Sequence, residues 1–217
     1  MLSQTTFPIV AATASAIQDP DVRALLAQSQ PGAVNFYPTD AMIYAQGDAA
    51  GPLYLVEFGT VRICRLTSDG RRQITSFCYA GDIFGLEDGD EHQSYAESVD
   101  GTGLRTLRPT DNANFAQRLL SLALRRFARV QKHLLLLGRL SANEKMAQFL
   151  LDLLERQNSD DIVNLPMQRN DIADYLGMTF ETVSRVLRVL KDRQLIRLNS
   201  VDQIEVLDLD GLAVLAE

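Results

Sequence analysis

At 217 residues the chain is long enough for one or two modest cores, and two compact domains are the natural division. No stretch approaches the roughly 18 consecutive apolar residues of a membrane-spanning helix, and the N-terminus lacks a basic region followed by an apolar run, so a cytoplasmic location is expected. Two cysteines, Cys64 and Cys78, give no disulfide framework, and a net charge of −7 argues against a broadly basic, phosphate-binding surface.

Residues 1–30 begin as a polar, small-residue arm and continue into a short helix from Asp19 to Gln28, with Asp19 as its cap and Pro20 at its first position. From Ala33 to Arg108 short apolar runs are punctuated by glycine. Leu53 to Val56, Val61 to Leu66 and Gln73 to Phe77 are strand candidates, separated by turns such as Asp69-Gly70-Arg71 and Ala80-Gly81-Asp82. Evenly spaced short strands predict a β-barrel or jelly roll. The acidic run Glu87, Asp88, Asp90 and Glu91 reads first as a solvated loop and, in a sharper reading, as a contact surface for another protein. Cys64 and Cys78 fall in strand patterns, where free cysteine behaves as a small buried hydrophobe; a redox role would need an exposed, low-pKa thiolate. His92 has no neighbour at metal-ligand spacing, and with His133 the only other histidine, a metal-dependent jelly-roll enzyme is disfavoured.

The period changes over residues 111–139. Phe115, Leu119, Leu122, Phe127, Val130, Leu134 and Leu137 fall on or near one helical stripe, widened by Leu120, Leu124 and Leu135-Leu136. A helix from about Asn112 to Leu137 would run roughly 39 Å and carry more apolar surface than one small domain buries. Gly138-Arg139-Leu140 is expected to interrupt it, with Ser141-Ala142-Asn143-Glu144 capping the next helix, so Gly138 and Ser141 mark a hinge. Met146, Phe149, Leu150, Leu153 and Leu154 supply the core face of that helix, and Ile162 to Leu165 reads as a short strand.

Residues 168–193 carry the sharpest pattern. Gln168 to Leu176 reads as one helix, Gly177 breaks it, and Thr179 caps a second in which Val183, Val186, Leu187 and Leu190 recur at i, i+3, i+4 and i+7. Glu181, Ser184, Arg185 and Arg188 follow the same spacing on the opposite side. Two helices across a tight turn, one face apolar and the other carrying Glu, Ser and Arg, make a helix-turn-helix suited to a DNA major groove. Leu195 to Leu198 and Gln203 to Leu207 form a hairpin after it, which makes the motif winged. The competing reading, an antiparallel helix pair in a core, predicts no particular chemistry on the exposed face.

The segment Leu176-Gly177-Met178-Thr179-Phe180-Glu181-Thr182-Val183-Ser184-Arg185 resembles the recognition segment of the CRP/FNR family of bacterial transcription regulators, nearest its FNR and FixK branches, and the resemblance extends over nearly the whole chain. It implies an α+β fold: an N-terminal arm and short helix (1–30), a cyclic-nucleotide-binding-like β-roll (31–110), a dimerisation helix and hinge (111–139) and a winged helix-turn-helix (140–217). The long helix would form a parallel homodimer through the stripe Phe115, Leu119, Leu122, Phe127, Val130, Leu134 and Leu137. Arg185 would donate to guanine, Glu181 would accept from a cytosine amino group, Ser184 would contact a base and Phe180 a thymine methyl, giving a TTGA-N6-TCAA-type palindrome. Arg169, Thr179, Thr182 and Arg188 are candidates for the DNA backbone, and RNA polymerase is the implied partner for activation.

The same resemblance is informative where it breaks. Cyclic-nucleotide binders of the family carry a Gly-Glu pair and an Arg-Ser pair in the pocket; here Leu86 follows Gly85 and Gln93-Ser94 stands where Arg-Ser is expected, beside four carboxylates that would repel a phosphate. Oxygen-sensing members hold an iron-sulfur cluster on about four thiolates, against two cysteines here. No cofactor and no metal site are expected, and no small-molecule effector is identified. The alternatives are a ligand-gated regulator sensing haem or another small molecule in the β-roll, and an interaction module that does not bind DNA. Six basic against four acidic groups over residues 168–197 leave any DNA face only locally basic, so direct base contacts carry a greater share of recognition.

Overall fold

A computed structural model describes residues 19–29, 32–68, 70–108 and 112–216; the polar arm expected over residues 1–18 lies outside the described residues. Helix α1 (Pro20–Gln28) starts as the sequence suggests, with the Asp19 carboxylate accepting from the amides of Asp21 and Val22. Eight strands follow: β1 (Val34–Tyr37), β2 (Met42–Tyr44), β3 (Leu53–Phe58), β4 (Val61–Leu66), β5 (Arg72–Cys78), β6 (Ile83–Phe84), β7 (Tyr95–Ser98) and β8 (Thr102–Leu107). They pair antiparallel into two four-stranded sheets, ordered β1-β8-β3-β6 and β2-β7-β4-β5, which close over a core of Tyr44, Val56, Val61, Ile63, Cys78, Phe84, Ala96 and Leu104. This is the expected roll.

Helix α2 (Ala113–Arg139) begins at the Asn112 cap and continues through Gly138. The interruption expected over Gly138-Arg139-Leu140 comes at its last residue: Gly138 is exposed with nothing close to where a Cβ would sit, so glycine costs the helix only about 1 kcal/mol of propensity, and the chain leaves helical geometry at Leu140. Ser141 then caps α3 (Ala142–Gln157) in a full capping box, its side chain accepting from the Glu144 amide while the Glu144 carboxylate accepts from the Ser141 amide. Beyond it lie β9 (Ile162–Asn164), α4 (Arg169–Leu176), α5 (Phe180–Asp192), β10 (Ile196–Leu198), β11 (Gln203–Val206) and α6 (Leu209–Leu215). The wing is a three-stranded sheet, β10-β11-β9, to which β9 adds an edge.

Helix α6 was not foreseen. It is short and contains Gly211, a poor helix former, but the Asp208 carboxylate caps it through the Gly211 amide at 2.8 Å, and a Cβ at Gly211 would collide with that same carboxylate. Glycine here is the condition for the cap.

The α2 stripe also differs from the expected one. Phe115 is 1% exposed, and Leu119 and Leu122 pack against a cluster of Val22, Leu53, Leu55 and Leu107 contributed by α1 and the roll. These three belong to the chain's own core, because α1 and the roll cover that side of the helix, held by Arg118 and Arg125 on the Asp21 carboxylate at 2.9 and 3.0 Å. Leu137 is half-buried beside Gly177. Left outside are Leu120, Leu124, Phe127, Val130, Leu134 and Leu135. No helix among the described residues is long and apolar enough to cross a membrane.

The helix-turn-helix domain shares its core with the roll. Cys64, Ile74, Phe77 and Val99 from the roll join Leu150, Leu153, Ile172, Leu176, Val183 and Leu187 in one contiguous buried cluster.

Candidate DNA-binding interface

Helix α4 ends because Gly177 takes φ of 62°, a left-handed cap that favours glycine, with its amide donating to the Ala173 carbonyl. Two residues later Thr179 restarts the chain as α5, its hydroxyl accepting from the Thr182 amide at 3.2 Å. Val183, Val186, Leu187 and Leu190 are all buried, each contributing about 1.5–3 kcal/mol by leaving water. That fixes which side of α5 faces out. Phe180, Glu181, Arg185 and Arg188 are exposed, while Thr182 and Ser184 are half-buried at the edge of the same face.

The polar side chains on and beside this face form two small hydrogen-bonded groups. Arg185 Nη2 donates to Thr182 Oγ1 at 3.4 Å, Thr182 and Thr179 hydroxyls lie 3.2 Å apart, and Arg169 Nη1 from α4 reaches Ser184 Oγ at 3.5 Å. These are long, weak contacts that a nucleic-acid acceptor can replace. The Nε of Arg169 is buried without a partner among the described residues. Glu181 sits in the first turn of α5, where a hydrogen bond from its own backbone amide, then the Thr179 hydroxyl, holds its carboxyl below the usual range. It is an ionised acceptor at neutral pH. Phe180, 46% exposed, presents a ring to solvent at the leading end of the helix. The sequence-derived set Phe180, Glu181, Ser184, Arg185, Arg169, Thr179, Thr182 and Arg188 is thus gathered on one side of one domain.

On α2, the exposed apolar side chains Leu120, Leu124, Phe127 and Leu134 follow alternating steps of four, three and seven residues, which place Gln131 in the remaining seam position. Phe127 and Leu134 belong to the stripe read from the sequence, and Leu120 and Leu124 to the residues that widened it; periodicity alone could not say which of them the roll would cover.

Inside the roll, Tyr54 stacks on Phe84 at 5.2 Å, Tyr44 lies 6.2 Å from Phe84, and Tyr44 stacks on His92 at 3.7 Å. His92 is buried, with Nδ1 3.1 Å from the Glu87 carboxylate, so the acidic run is not wholly solvated: Glu87 turns inward. Cys64 and Cys78 are both buried, and desolvation pushes their thiols up to about 12 and about 11. Between the roll, α2, α3 and α4 lies a cavity of about 90 Å3 lined by Cys78, Leu122, Arg126, His133, Arg156 and Tyr175 among others. The His133 ring stacks on Tyr175 at 4.1 Å, its Nε2 is buried without a partner among the described residues, and burial pushes its pKa down. Among the described residues no group of three or more His, Cys, Asp or Glu is placed to hold a metal ion.

Comparison with known proteins agrees with this geometry. Residues 144–215 match the Crp-like helix-turn-helix domain and residues 34–100 the cyclic nucleotide-binding domain. The chain is 46% identical over 184 residues to the nitrogen fixation regulation protein FixK of Rhizobium meliloti, covering 85% of this chain and 87% of that protein. It is 36% identical to the transcriptional activatory protein AadR of Rhodopseudomonas palustris, over 81% of this chain and 77% of that one. Among solved structures, FixK2 from Bradyrhizobium japonicum superposes with a TM-score of 0.81 at 35% identity, covering 86% of this chain and 98% of that chain. A β-roll, a long helix with an outward apolar seam and a winged helix-turn-helix with a polar recognition face, together with these relatives, place the chain in the CRP/FNR family as a FixK-type transcription regulator.

Proposed function

We propose that the chain acts as a homodimer that reads a TTGA-N6-TCAA-type palindrome and activates transcription through RNA polymerase, without a cyclic nucleotide or an iron-sulfur cluster. The observation that carries the reading is the exposed face of α5, where Phe180, Glu181, Ser184, Arg185 and Arg188 occupy successive turns above a fully buried apolar face. In a major groove the Arg185 guanidinium pairs with the O6 and N7 of guanine, ionised Glu181 accepts from a cytosine amino group, and Phe180 meets a thymine methyl. Ser184, tied to Arg169, adds a base contact, while Arg169, Thr179, Thr182 and Arg188 face the phosphates. The exposed seam of α2 supplies the dimer, with Gln131 as a polar residue at a seam position, where polar side chains set register. Two recognition helices then meet half-sites about 34 Å apart. Gly138 and Ser141 lie at the passage from dimer helix to DNA-binding domain and act as its hinge.

The roll does not fit a cyclic nucleotide. Leu86 and Gln93 stand where the ribose and phosphate partners belong, and the Tyr54, Phe84, Tyr44 and His92 rings occupy the interior beside the Glu87 carboxylate. The cavity beside α2, at about 90 Å3, is well below the roughly 300 Å3 at which small-molecule pockets begin and is too small to take a haem. The name of the Rhodopseudomonas palustris relative, a transcriptional activatory protein, supports activation.

The test is a titration of the purified protein, with no effector added and at moderate fixed salt, against a duplex carrying TTGAT-N4-ATCAA and against a scrambled duplex. Selective binding to the first is expected. Equal affinity for both duplexes would overturn the assignment.

A further inference from the structure

The contact between the roll and α4 is ionic at its centre, although each half of the network is far from the other in sequence. Arg62 on β4 has a side chain only 10% exposed and is held from three directions: Nε donates to Glu97 Oε2 at 2.8 Å, Nη2 to Asp40 Oδ1 at 2.8 Å and Nη1 to Asp171 Oδ2 at 3.1 Å. Glu97 faces Arg62 directly across the β4–β7 ladder. Two of the three carboxylates therefore belong to the roll, which orients the guanidinium in advance; only Asp171 comes from the DNA-binding domain. The second oxygen of Asp171 accepts from Arg72 Nη2 at 2.6 Å, and Arg72 Nε donates to Asp174 Oδ2 at 2.8 Å. Asp171 and Asp174 are three apart, on one face of α4, and Tyr175 beside them packs on Phe77 of β5 with ring centroids at 5.1 Å. On its other side α4 packs against the recognition helix through the buried core of Ile172, Ala173 and Val183.

We propose that Arg62 and Arg72, acting through Asp171 and Asp174, are positioning residues that fix the recognition helix against the roll and thereby set the spacing between half-sites that the dimer accepts. The inference rests on the DNA-binding reading above. Burying charges costs most of what their attraction returns, so such a cluster adds little net stability, but a carboxylate whose two oxygens serve two different guanidinium groups tolerates little rotation. Turning the helix-turn-helix by even one hydrogen-bond length would leave Asp171, 3% exposed, without one of its two guanidinium partners. In a dimer, α2 ties the two rolls together, and this cluster ties each reading head to its roll. The distance between the two heads is then a property of the ion cluster rather than of the passage at Leu140 between α2 and α3.

The experiment uses the full-length protein and duplexes with identical TTGAT and ATCAA half-sites separated by four or six base pairs, with a scrambled control. Asp171→Asn is compared with wild type. Because it removes the carboxylate that two guanidinium groups share and can compromise folding, the double variant Arg62→Met with Asp171→Leu, which replaces the central pair by apolar side chains, is measured alongside, and only variants with a cooperative unfolding transition are scored. Expected is a matched-over-scrambled ratio within about twofold of wild type while the four-over-six preference falls about fivefold or more, within the ordinary range of coupling between sites. A folded variant with the wild-type spacer preference overturns the proposal. So does a parallel fall of both ratios, which would mean damage to the reading helix itself. If wild type shows no preference for matched over scrambled DNA, the DNA reading fails first and the positioning role falls with it.

Discussion

Two phenylalanines on α2 provide a sharp test of which side of that helix faces a second chain. Phe127 is 59% exposed in the isolated chain and Phe115 is 1% exposed. An aromatic side chain carries about 200 Å2 of surface, so Phe127 leaves roughly 120 Å2 in water per protomer; in a two-fold dimer both copies are covered, about 240 Å2 together. Truncation to alanine removes about two-thirds of that area, and at about 25 cal/mol per Å2 the loss is about 4 kcal/mol as an upper bound. The dimer dissociation constant should rise by up to a thousandfold, at about 1.4 kcal/mol per decade. Sedimentation velocity across a wide range of protein concentration reads this directly: Phe127→Ala should shift to monomer where wild type is dimeric. Phe115→Ala should instead lower the unfolding free energy by about 3–5 kcal/mol and leave association of the folded chain unchanged. An unaltered monomer–dimer equilibrium in Phe127→Ala would refute the seam through Leu120, Leu124, Phe127 and Leu134. A large shift confined to Phe115→Ala would move the interface to the Phe115, Leu119 and Leu122 part of the helix.

Arg185→Ala should cost about 1–3 kcal/mol per half-site against matched DNA, visible in binding titrations with matched and single-mismatch duplexes, whereas Arg188→Ala should weaken binding to all sequences and reduce the salt dependence; unchanged base discrimination in Arg185→Ala would remove its assigned role. With thiols raised to about 12 and about 11, Cys64 and Cys78 hold at most about one part in a thousand of thiolate at pH 8, so a thiol reagent should modify them only on unfolding. Rapid modification of either in the native protein would contradict the buried assignment. Burial holds the folded-state pKa of His133 below its usual 6.5, so the unfolded chain binds the proton more readily. Stability is fully present above about 6.5 and is lost as pH falls through the lower folded value. Urea unfolding at pH 7.5 and 5.5 should show a smaller loss in His133→Phe, which keeps a ring against Tyr175; an equal loss would place the titrating group elsewhere.

The helix-turn-helix was legible because two independent signals coincide there: a strong 3.6-residue repeat in Val183, Val186, Leu187 and Leu190, and end signals at Gly177 and Thr179 whose chemistry is local. The roll was legible only as a class. Strands β3, β4 and β5 have runs of apolar residues that stand out, but β1 is exposed or half-buried throughout and β8 is buried on adjacent positions, so neither shows the alternation that marks a half-buried strand. On α2 the stripe read from the sequence is divided: Phe127, Val130 and Leu134 stay exposed, while Phe115, Leu119 and Leu122 are taken into the chain's own core by α1 and the roll, a choice only tertiary packing makes. The Arg62–Asp171 contact spans 109 residues and leaves no periodic trace at all.

The shared core of roll and DNA-binding domain has a further meaning for how such a chain can change over time. Ile74, Phe77 and Val99 do not finish a hydrophobic interior of their own; they finish that of a neighbouring domain, packed with Phe149, Leu150 and Leu176. A reading head transplanted onto an unrelated roll would arrive with an open apolar flank, and the donor roll would be left with another. Calorimetry should accordingly record a single transition for the two domains. Changing side chains on the outer face of α5 leaves that shared core intact, whereas exchanging a whole domain opens it.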